Sequence, residues 1–168
     1  SVFRNELSQL IYEERDDVNN VWWNANGGEV NTNGLELSLL FKPTDWFDLN
    51  VSGTYLDTKD EKSDIEMAFS PNYILYGNAA FRLPHSIKFA LSGRYMDSML
   101  SSWNPTAQKR NGIETDSYMV VNANIRAEKI FKGLFAELTC SNLFDREIRY
   151  PTGDNNAFFD KGTLGKGR

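Results

Sequence analysis

One histidine and one cysteine are the side chains in this sequence most often used for catalysis or metal binding. His85 lies in a short Pro84-His85 turn with no second ligand or base nearby in sequence. Cys140 has no second cysteine to pair with, and its ordinary role is that of a small apolar strand residue. No Ser-His-Asp order, phosphate-binding glycine loop or paired-cysteine motif is present. The sequence therefore predicts no enzyme, no metal site and no cofactor.

Tryptophans in polar stretches are the best candidates for ligand contact. Trp22, Trp23 and Trp103 fit this description, because aromatic faces stack on flat or metal-chelating ligands and exposed apolar groups mark contacts. Packing within the loops, or anchoring at a membrane interface, is the more ordinary role for all three.

Charged side chains offer two further candidates. Arg94 and Arg126 fall on the polar side of alternating segments, which faces a lumen if Phe89 and Ile125 face lipid. There they could meet an anionic ligand or take part in an ordinary network of paired charges. The acidic stretch 57–66 has carboxylates that calcium favours, but their order fits no calcium-loop template, and a solvated loop is the plainer interpretation.

Composition limits the function classes. The chain has 168 residues and a net charge of −5, which argues for one domain and against a nucleic-acid partner. No apolar run approaches the roughly 18 residues of a membrane helix, and Ser1 begins no leader, so we expect an internal fragment of a longer protein. A hydrophobic content of 40% suits a soluble protein, but also a β-barrel that shows lipid only every second residue.

The elements that position these residues follow a period of two. One face of the segment 46–55 carries Phe47, Leu49, Val51, Gly53 and Tyr55, and the other carries Asp48, Asn50, Ser52 and Thr54. The same alternation recurs in 35–42, 87–95 and 121–126, and noisier segments at 2–12, 70–83 and 134–148 bring the expected count to about seven strands. About 11 residues at roughly 3.3 Å, tilted near 40°, rise about 27 Å, which matches the apolar band of a bilayer.

Turn lengths alternate along the chain. Short turns at 43–45, 84–85 and 132–133 separate long polar loops at 13–30, 57–69, 97–117 and 149–162. A transmembrane barrel gathers its short turns at the periplasmic end and its long loops outside. Aromatic residues near strand ends suit the interfacial girdles of such a barrel: Trp46, Tyr55, Tyr73, Tyr95 and Tyr118.

Two motifs resemble the C-terminal barrel of TonB-dependent outer-membrane receptors. The first is the Asn- and Gly-rich descent 26–37 into a Gly-x-Glu strand, followed by a tight turn and a strand ending in Tyr-Leu-Asp-Thr at 55–58. The second, more specific motif is Asn142, Leu143, Phe144 and Asp145, which is similar to the Asn-Leu-Phe-Asp of the penultimate strand. In it we expect Asn142 and Asp145 to bond locally where the pairing changes, while Leu143 and Phe144 stay packed.

The resemblance implies an all-β fold, an antiparallel up-and-down transmembrane barrel segment of about seven strands from a 22-strand barrel. Residues 1–168 would be the C-terminal part of the barrel domain, without the plug and the last strand. The implied function is energised uptake of a scarce nutrient such as a ferric siderophore across the outer membrane of a Gram-negative bacterium. Its implied partners are outer-membrane lipid, the receptor's own plug and remaining strands, and the TonB energy-coupling complex.

Two alternatives remain open from the sequence. One is a small self-contained barrel of eight strands, with residues 158–168 as a poor last strand. The other is a soluble β-sandwich module that binds carbohydrate on a platform of Trp22, Trp23 and Trp103.

Overall fold

The computed structural model describes residues 1–16, 19, 21–104, 107–152 and 163–164. Within this part of the chain the secondary structure is almost entirely β, with one 3-10 turn at Pro84–Ser86. No helix among these residues is long and apolar enough to cross a bilayer. The strands are β1 Val2–Asp16, β2 Val21–Thr44, β3 Phe47–Asp60, β4 Ile65–Glu66, β5 Tyr73–Leu83, β6 Ile87–Met96, β7 Trp103–Asn104, β8 Lys109–Arg110, β9 Tyr118–Phe131, β10 Leu134–Cys140, β11 Arg149–Tyr150 and β12 Thr163–Leu164.

One antiparallel sheet dominates the structure. Its main strands lie in the order β1-β2-β3-β5-β6-β9-β10, and the short β4 pairs with the end of β3. Each main strand therefore pairs with the next long strand along the chain, which is the predicted up-and-down topology. Strands β1 and β10 end the row and do not pair with each other in the described residues, so the sheet is open.

The three predicted short turns are confirmed. β2 and β3 are joined at residues 45–46, β5 and β6 by the 3-10 turn, and β9 and β10 by residues 132–133. His85 has φ 60 in its turn, a left-handed conformation found in tight connections. These three turns define the short-turn end of the sheet, and the opposite end is called the outer end.

The longer connections differ from their predicted bounds. Most of the region 13–30 is strand rather than loop, because β1 continues to Asp16 and β2 begins at Val21. The segment 97–117 contains the β7-β8 hairpin and a bridge between Met99 and Thr115. The predicted strand 134–148 ends at Cys140. Of the predicted loop 149–162, residues 153–162 lie outside the described part.

Cross-strand pairing divides the sheet into two chemically different faces. Partners that lie directly opposite in an antiparallel ladder share a face, and Val51 pairs with Leu39 on one side and Gly77 on the other. The row continues through Gly93 and Val121. We call the side that carries this row the apolar face and the opposite side, which carries Asp48, Asn50, Ser52 and Thr54, the polar face.

The apolar face has no cover. Leu37 is 65% exposed and Leu39 is 57% exposed, and many other large apolar side chains of the sheet share this exposure. Among the described side chains the buried hydrophobic residues are Val30, Met99 and Tyr118. No second sheet packs against the first in this part of the chain, which contradicts the β-sandwich alternative.

Candidate functional site: the polar face and the outer loops

Aromatic rings border the apolar face at both ends. At the short-turn end the ring of Phe81 lies 5.0 Å from Phe47 and 6.4 Å from Trp46, centroid to centroid. At the outer end the rings of Tyr55 and Tyr73 lie 5.0 Å apart. The eight residue-to-residue steps from Phe47 to Tyr55, at about 3.3 Å each and tilted about 40°, span about 20 Å of height. This band suits the hydrocarbon layer of a membrane, with amphipathic rings at its borders.

Tyr118 does not belong to these borders, contrary to the prediction. It pairs with Met96 and is buried on the polar face. Its hydroxyl accepts a hydrogen bond from Nη2 of Arg94 at 3.3 Å and lies 3.2 Å from the sulfur of Met96. Because strand residues alternate between faces, Tyr118 and its neighbour Met119 point in opposite directions.

Arg94 and Arg126 both lie on the polar face, but in different surroundings. Arg94 is exposed near the outer end and contacts the phenol of Tyr118. Arg126 lies nearer the short-turn end, with Nε 3.1 Å from Glu128 and Nη1 3.6 Å from Glu137. Its guanidinium also lies 4.8 Å from the ring centroid of Phe135. Arg126 is thus already neutralised by carboxylates, while Arg94 presents its charge to the space over the polar face.

Paired charges cover the short-turn end of the polar face. Lys88 contacts Glu128 at 3.0 Å, and Arg82 forms an ion pair with Asp48. Lys42 lies 3.9 Å from the same aspartate. Such a network suits a wet surface, because charged groups are costly to leave in an apolar medium.

The Asn-Leu-Phe-Asp motif forms a turn directly after β10. The side-chain amide of Asn142 donates to the carbonyl oxygen of Arg146 at 2.9 Å, and its Oδ1 accepts from the main-chain nitrogen of Arg146 at 2.8 Å. The main-chain nitrogen of Asn142 donates to Oδ1 of Asn122 in β9 at 2.9 Å. Asn142 is buried with φ 49, a conformation that asparagine tolerates better than most residues.

The structure contains the local hydrogen bonds expected of Asn142, but the expected packing of the Leu143 and Phe144 side chains is wrong. Leu143 donates its main-chain N–H to the carbonyl of Val121 at 2.7 Å. However, Leu143 is 40% exposed and Phe144 is 73% exposed. The motif therefore redirects the chain by polar bonds, while its apolar side chains remain outside within the described structure.

A cavity of about 680 Å³ lies between two outer segments, 60–69 and 102–110. Trp103 contributes to its wall, as do Met67 and the half-exposed Phe69. Its full lining is Asp60, Ser63, Ile65, Glu66, Met67, Ala68, Phe69, Ser102, Trp103, Gln108 and Arg110. We call it the outer-loop cavity.

Arg110 fastens the two walls of the outer-loop cavity together. Its Nη2 donates to the carbonyl oxygen of Glu66 at 2.6 Å, and its Nη1 donates to that of Ser101 at 2.8 Å. The guanidinium carbon lies 5.8 Å from the ring centroid of Trp103. A main-chain bond from Phe69 to Leu100 at 3.0 Å adds a second link. The cavity is therefore formed before any ligand enters.

The segment after the motif packs on the same outer region. Thr152 is buried, and its hydroxyl accepts from the main-chain nitrogen of Ile113 at 2.9 Å. Gly112 has φ 83, and a Cβ there would lie 2.2 Å from the carbonyl oxygen of Thr152. Only glycine permits this close approach. The outer loops thus contact one another beyond the cavity itself.

Trp22 and Trp23 are strand residues rather than loop residues. Their main chains pair with Arg15 and Glu14 in the β1-β2 hairpin, and their side chains lie outside the described part of the structure. Trp103 is the predicted ligand residue that the structure places at a cavity. Sequence reasoning missed Arg110 and Phe69, since no local pattern marks either.

The acidic outer stretch is organised by hydrogen bonds. Oδ1 of Asp60 accepts from the main-chain nitrogens of Lys62 and Ser63 and from the Ser63 hydroxyl, at 2.7 to 3.1 Å. Partial burial opposes ionisation, but these bonds outweigh it and hold the pKa of Asp60 below its usual value. Asp64 pairs with Lys59 at 3.4 Å. No group of three or more histidine, cysteine or acidic side chains among the described residues is arranged to hold a metal ion.

Comparison with known proteins gives a consistent result. The sequence profile of the outer membrane protein beta-barrel family matches residues 2–163. No curated protein matches the sequence.

Several solved structures contain a similar sheet. The pyoverdine outer membrane receptor FpvA from Pseudomonas aeruginosa PAO1 superposes with a TM-score of 0.75 at 14% identity, over 99% of this chain and 25% of that one. The FrpB iron transporter from Neisseria meningitidis gives 0.70 at 14% identity, over 99% and 27%. The ferric-catecholate import receptor Fiu from E. coli K12 gives 0.67 at 17% identity, over 88% and 21%. At these identities the similarity shows the fold, and the chain spans about a quarter of the length of these structures.

Proposed function

This chain belongs to the outer membrane protein beta-barrel family of Gram-negative outer membranes, and we propose that it forms part of the wall and outer loops of a receptor for TonB-energised uptake of a scarce nutrient, a ferric siderophore. In this proposal residues 1–168 are the C-terminal part of the barrel domain of a longer receptor. The plug, the remaining strands and the last strand belong to other parts of that protein. The energy-coupling complex acts through the plug.

The observation that carries the proposal is the opposition of the two faces on an open sheet. The exposed apolar face meets lipid, and the polar face, with its ion pairs, meets water. An open sheet of this kind needs further strands to satisfy its edges in a membrane. The alternative of a small eight-stranded barrel depends on residues 158–168 as its last strand, and of these only Thr163 and Leu164 lie in the described structure, where they pair with β11.

The proposed mechanism has no chemical step. The outer loops capture the ligand, with Trp103 as a stacking surface, and the polar face lines the route inward. Arg94 is the better placed of the two predicted arginines to meet a ligand, because Arg126 is held by Glu128 and Glu137. Plug movement, driven from the inner membrane, opens the path.

Uptake of radioactive iron in the native host tests the proposal. Cells lacking the receptor gene, cells lacking the energy-coupling protein and wild-type cells are supplied with ferric desferrioxamine B, a trihydroxamate, or ferric enterobactin, a catecholate. We expect uptake of at least one chelate to fall to background in both deletion strains and to return when the full-length receptor is restored. Uptake that continues without the coupling protein, or that does not depend on this receptor for either chelate, contradicts the proposal.

A further inference from the structure

The outer-loop cavity combines apolar and charged residues. Ile65, Met67 and Trp103 are apolar members of its lining, and its charged members are Asp60, Glu66 and Arg110. A ligand that fits it must therefore offer apolar area without strong negative charge.

The cations nearest to the cavity are already engaged. Arg110 donates two of its five N–H groups to main-chain carbonyls, and Nζ of Lys62 donates to the carbonyl oxygen of Gly27 at 2.6 Å. Lys59 is paired with Asp64. These bonds fix the positions of the three cations, and Arg110 and Lys62 keep their positive charge because their acceptors are neutral.

Asp60 of the same segment keeps its charge. The pKa of Asp60 is lowered by the hydrogen bonds of its turn, so its carboxylate is ionised at neutral pH. The stretch 57–72 has more acidic than basic residues: Asp57, Asp60, Glu61, Asp64 and Glu66 against Lys59 and Lys62. Of the charged residues that line the cavity, Asp60 and Glu66 are acidic and Arg110 is basic, so the net charge of the lining is negative.

Resting on the proposed function, we propose that the outer-loop cavity selects ferric chelates by charge. It accepts neutral or cationic complexes, such as trihydroxamates, and disfavours trianionic tris-catecholates. Hydroxamate groups each carry one negative charge and together neutralise Fe(III), while catecholates carry two each and leave an excess. The apolar backbone of the chelate lies on Trp103, and its neutral or positive part meets Glu66 and Asp60.

Glu66→Gln in the full-length receptor is the decisive variant. It removes one charge from the lining, keeps the side-chain size and leaves the main-chain carbonyl that binds Arg110. Glu61→Gln is the matched control, since Glu61 is an exposed acid of the same loop outside the lining. Binding of ferric desferrioxamine B, which carries one ammonium, and of ferric enterobactin, a trianion, is measured on the purified receptor at low and high salt.

We expect the wild-type receptor to bind the cationic chelate more tightly, and Glu66→Gln to narrow this preference by about fivefold at low salt. High salt should narrow it as well, because screening weakens exposed charge interactions. Glu61→Gln should leave the preference nearly unchanged, and Trp103→Ala should weaken binding of the preferred chelate.

Three results overturn the inference. One is tighter binding of the trianionic chelate, another is an equal effect of the two glutamine variants, and the third is full binding by Trp103→Ala. In each of these the receptor still binds or imports a chelate, so the proposed function stands. Uptake of both chelates that continues in cells lacking the receptor or the coupling protein overturns the proposed function and this inference together.

Discussion

Val51 gives the sharpest test of which face meets lipid. It lies midway between Phe47 and Tyr55 on the apolar face, about 10 Å of height from either aromatic border. Its side chain is 39% exposed, and its cross-strand partners are Leu39 and Gly77. Neither partner offers a hydrogen bond or a countercharge to a new polar group.

An arginine at the bilayer midplane of a β-barrel costs roughly 2–4 kcal/mol. Val51→Arg should therefore lower the folding equilibrium constant by a factor of about 30 to 700. Asn50→Arg is the matched control, because Asn50 immediately precedes Val51 in β3 and lies on the opposite, polar face. We expect it to change stability by no more than about 0.5 kcal/mol.

Urea unfolding of the full-length receptor in lipid vesicles measures both variants. Tyr55→Arg adds a depth control, with an expected cost of about 0–1 kcal/mol at the border of the band. Equal destabilisation by Val51→Arg and Asn50→Arg would refute the assignment of faces. A larger cost at Asn50 than at Val51 would reverse the assignment and place the polar face toward lipid.

Two further predictions concern the outer end of the sheet. Asn142→Ala should destabilise the receptor by about 2–3 kcal/mol, because the main-chain N–H and C=O of Arg146 both lose their hydrogen-bond partner. The same urea unfolding assay measures this loss. Ser141→Ala, at an exposed neighbouring residue, is the control. The main-chain amides of Lys62 and Ser63 should be protected from hydrogen exchange at neutral pH. The lowered pKa of Asp60 keeps its carboxylate ionised there, so that it continues to accept their hydrogen bonds. This protection should be lost only as pH falls below about 4, where the carboxylate becomes protonated. Hydrogen exchange rates, corrected for their intrinsic pH dependence, measure the protection. If protection in the wild type depends on pH as little as it does in Asp60→Asn, Asp60 is not the acceptor that protects these amides.

The sheet was predictable where one face meets lipid. In such a strand every second residue must be apolar. The alternation from Phe47 to Tyr55 therefore predicts both the strand conformation and which side chains lie on the apolar face. The short turns were predictable for a related reason, because proline, glycine and polar residues interrupt the alternation at 43–45, 84–85 and 132–133.

The strands above the apolar band could not be predicted in the same way. Between Val21 and Asn33 the strand β2 extends above the apolar band, so no alternation of hydrophobicity is required and the strand resembles a loop in sequence. The pairing that shows it to be a strand, such as Asn31 with Glu6, joins residues far apart along the chain.

The candidate site likewise contains residues that the sequence predicts and residues that it does not. Trp103 was identifiable by its residue type alone. Its wall partners were not, because Phe69 and Arg110 come to it from separate loops, through a main-chain bond and through the carbonyl oxygens of Glu66 and Ser101. Non-local contacts of this kind leave no period in the sequence.

The two regions of the chain therefore draw their stability from different sources. The sheet has almost no interior of its own in the described residues, so lipid and neighbouring strands must stabilise it. The outer-loop cavity is instead held by hydrogen bonds from Arg110 and Phe69 that need neither lipid nor ligand. A cavity formed in advance loses little entropy when it binds. Substitutions on its rim can then change the choice of ligand without disturbing the membrane wall below.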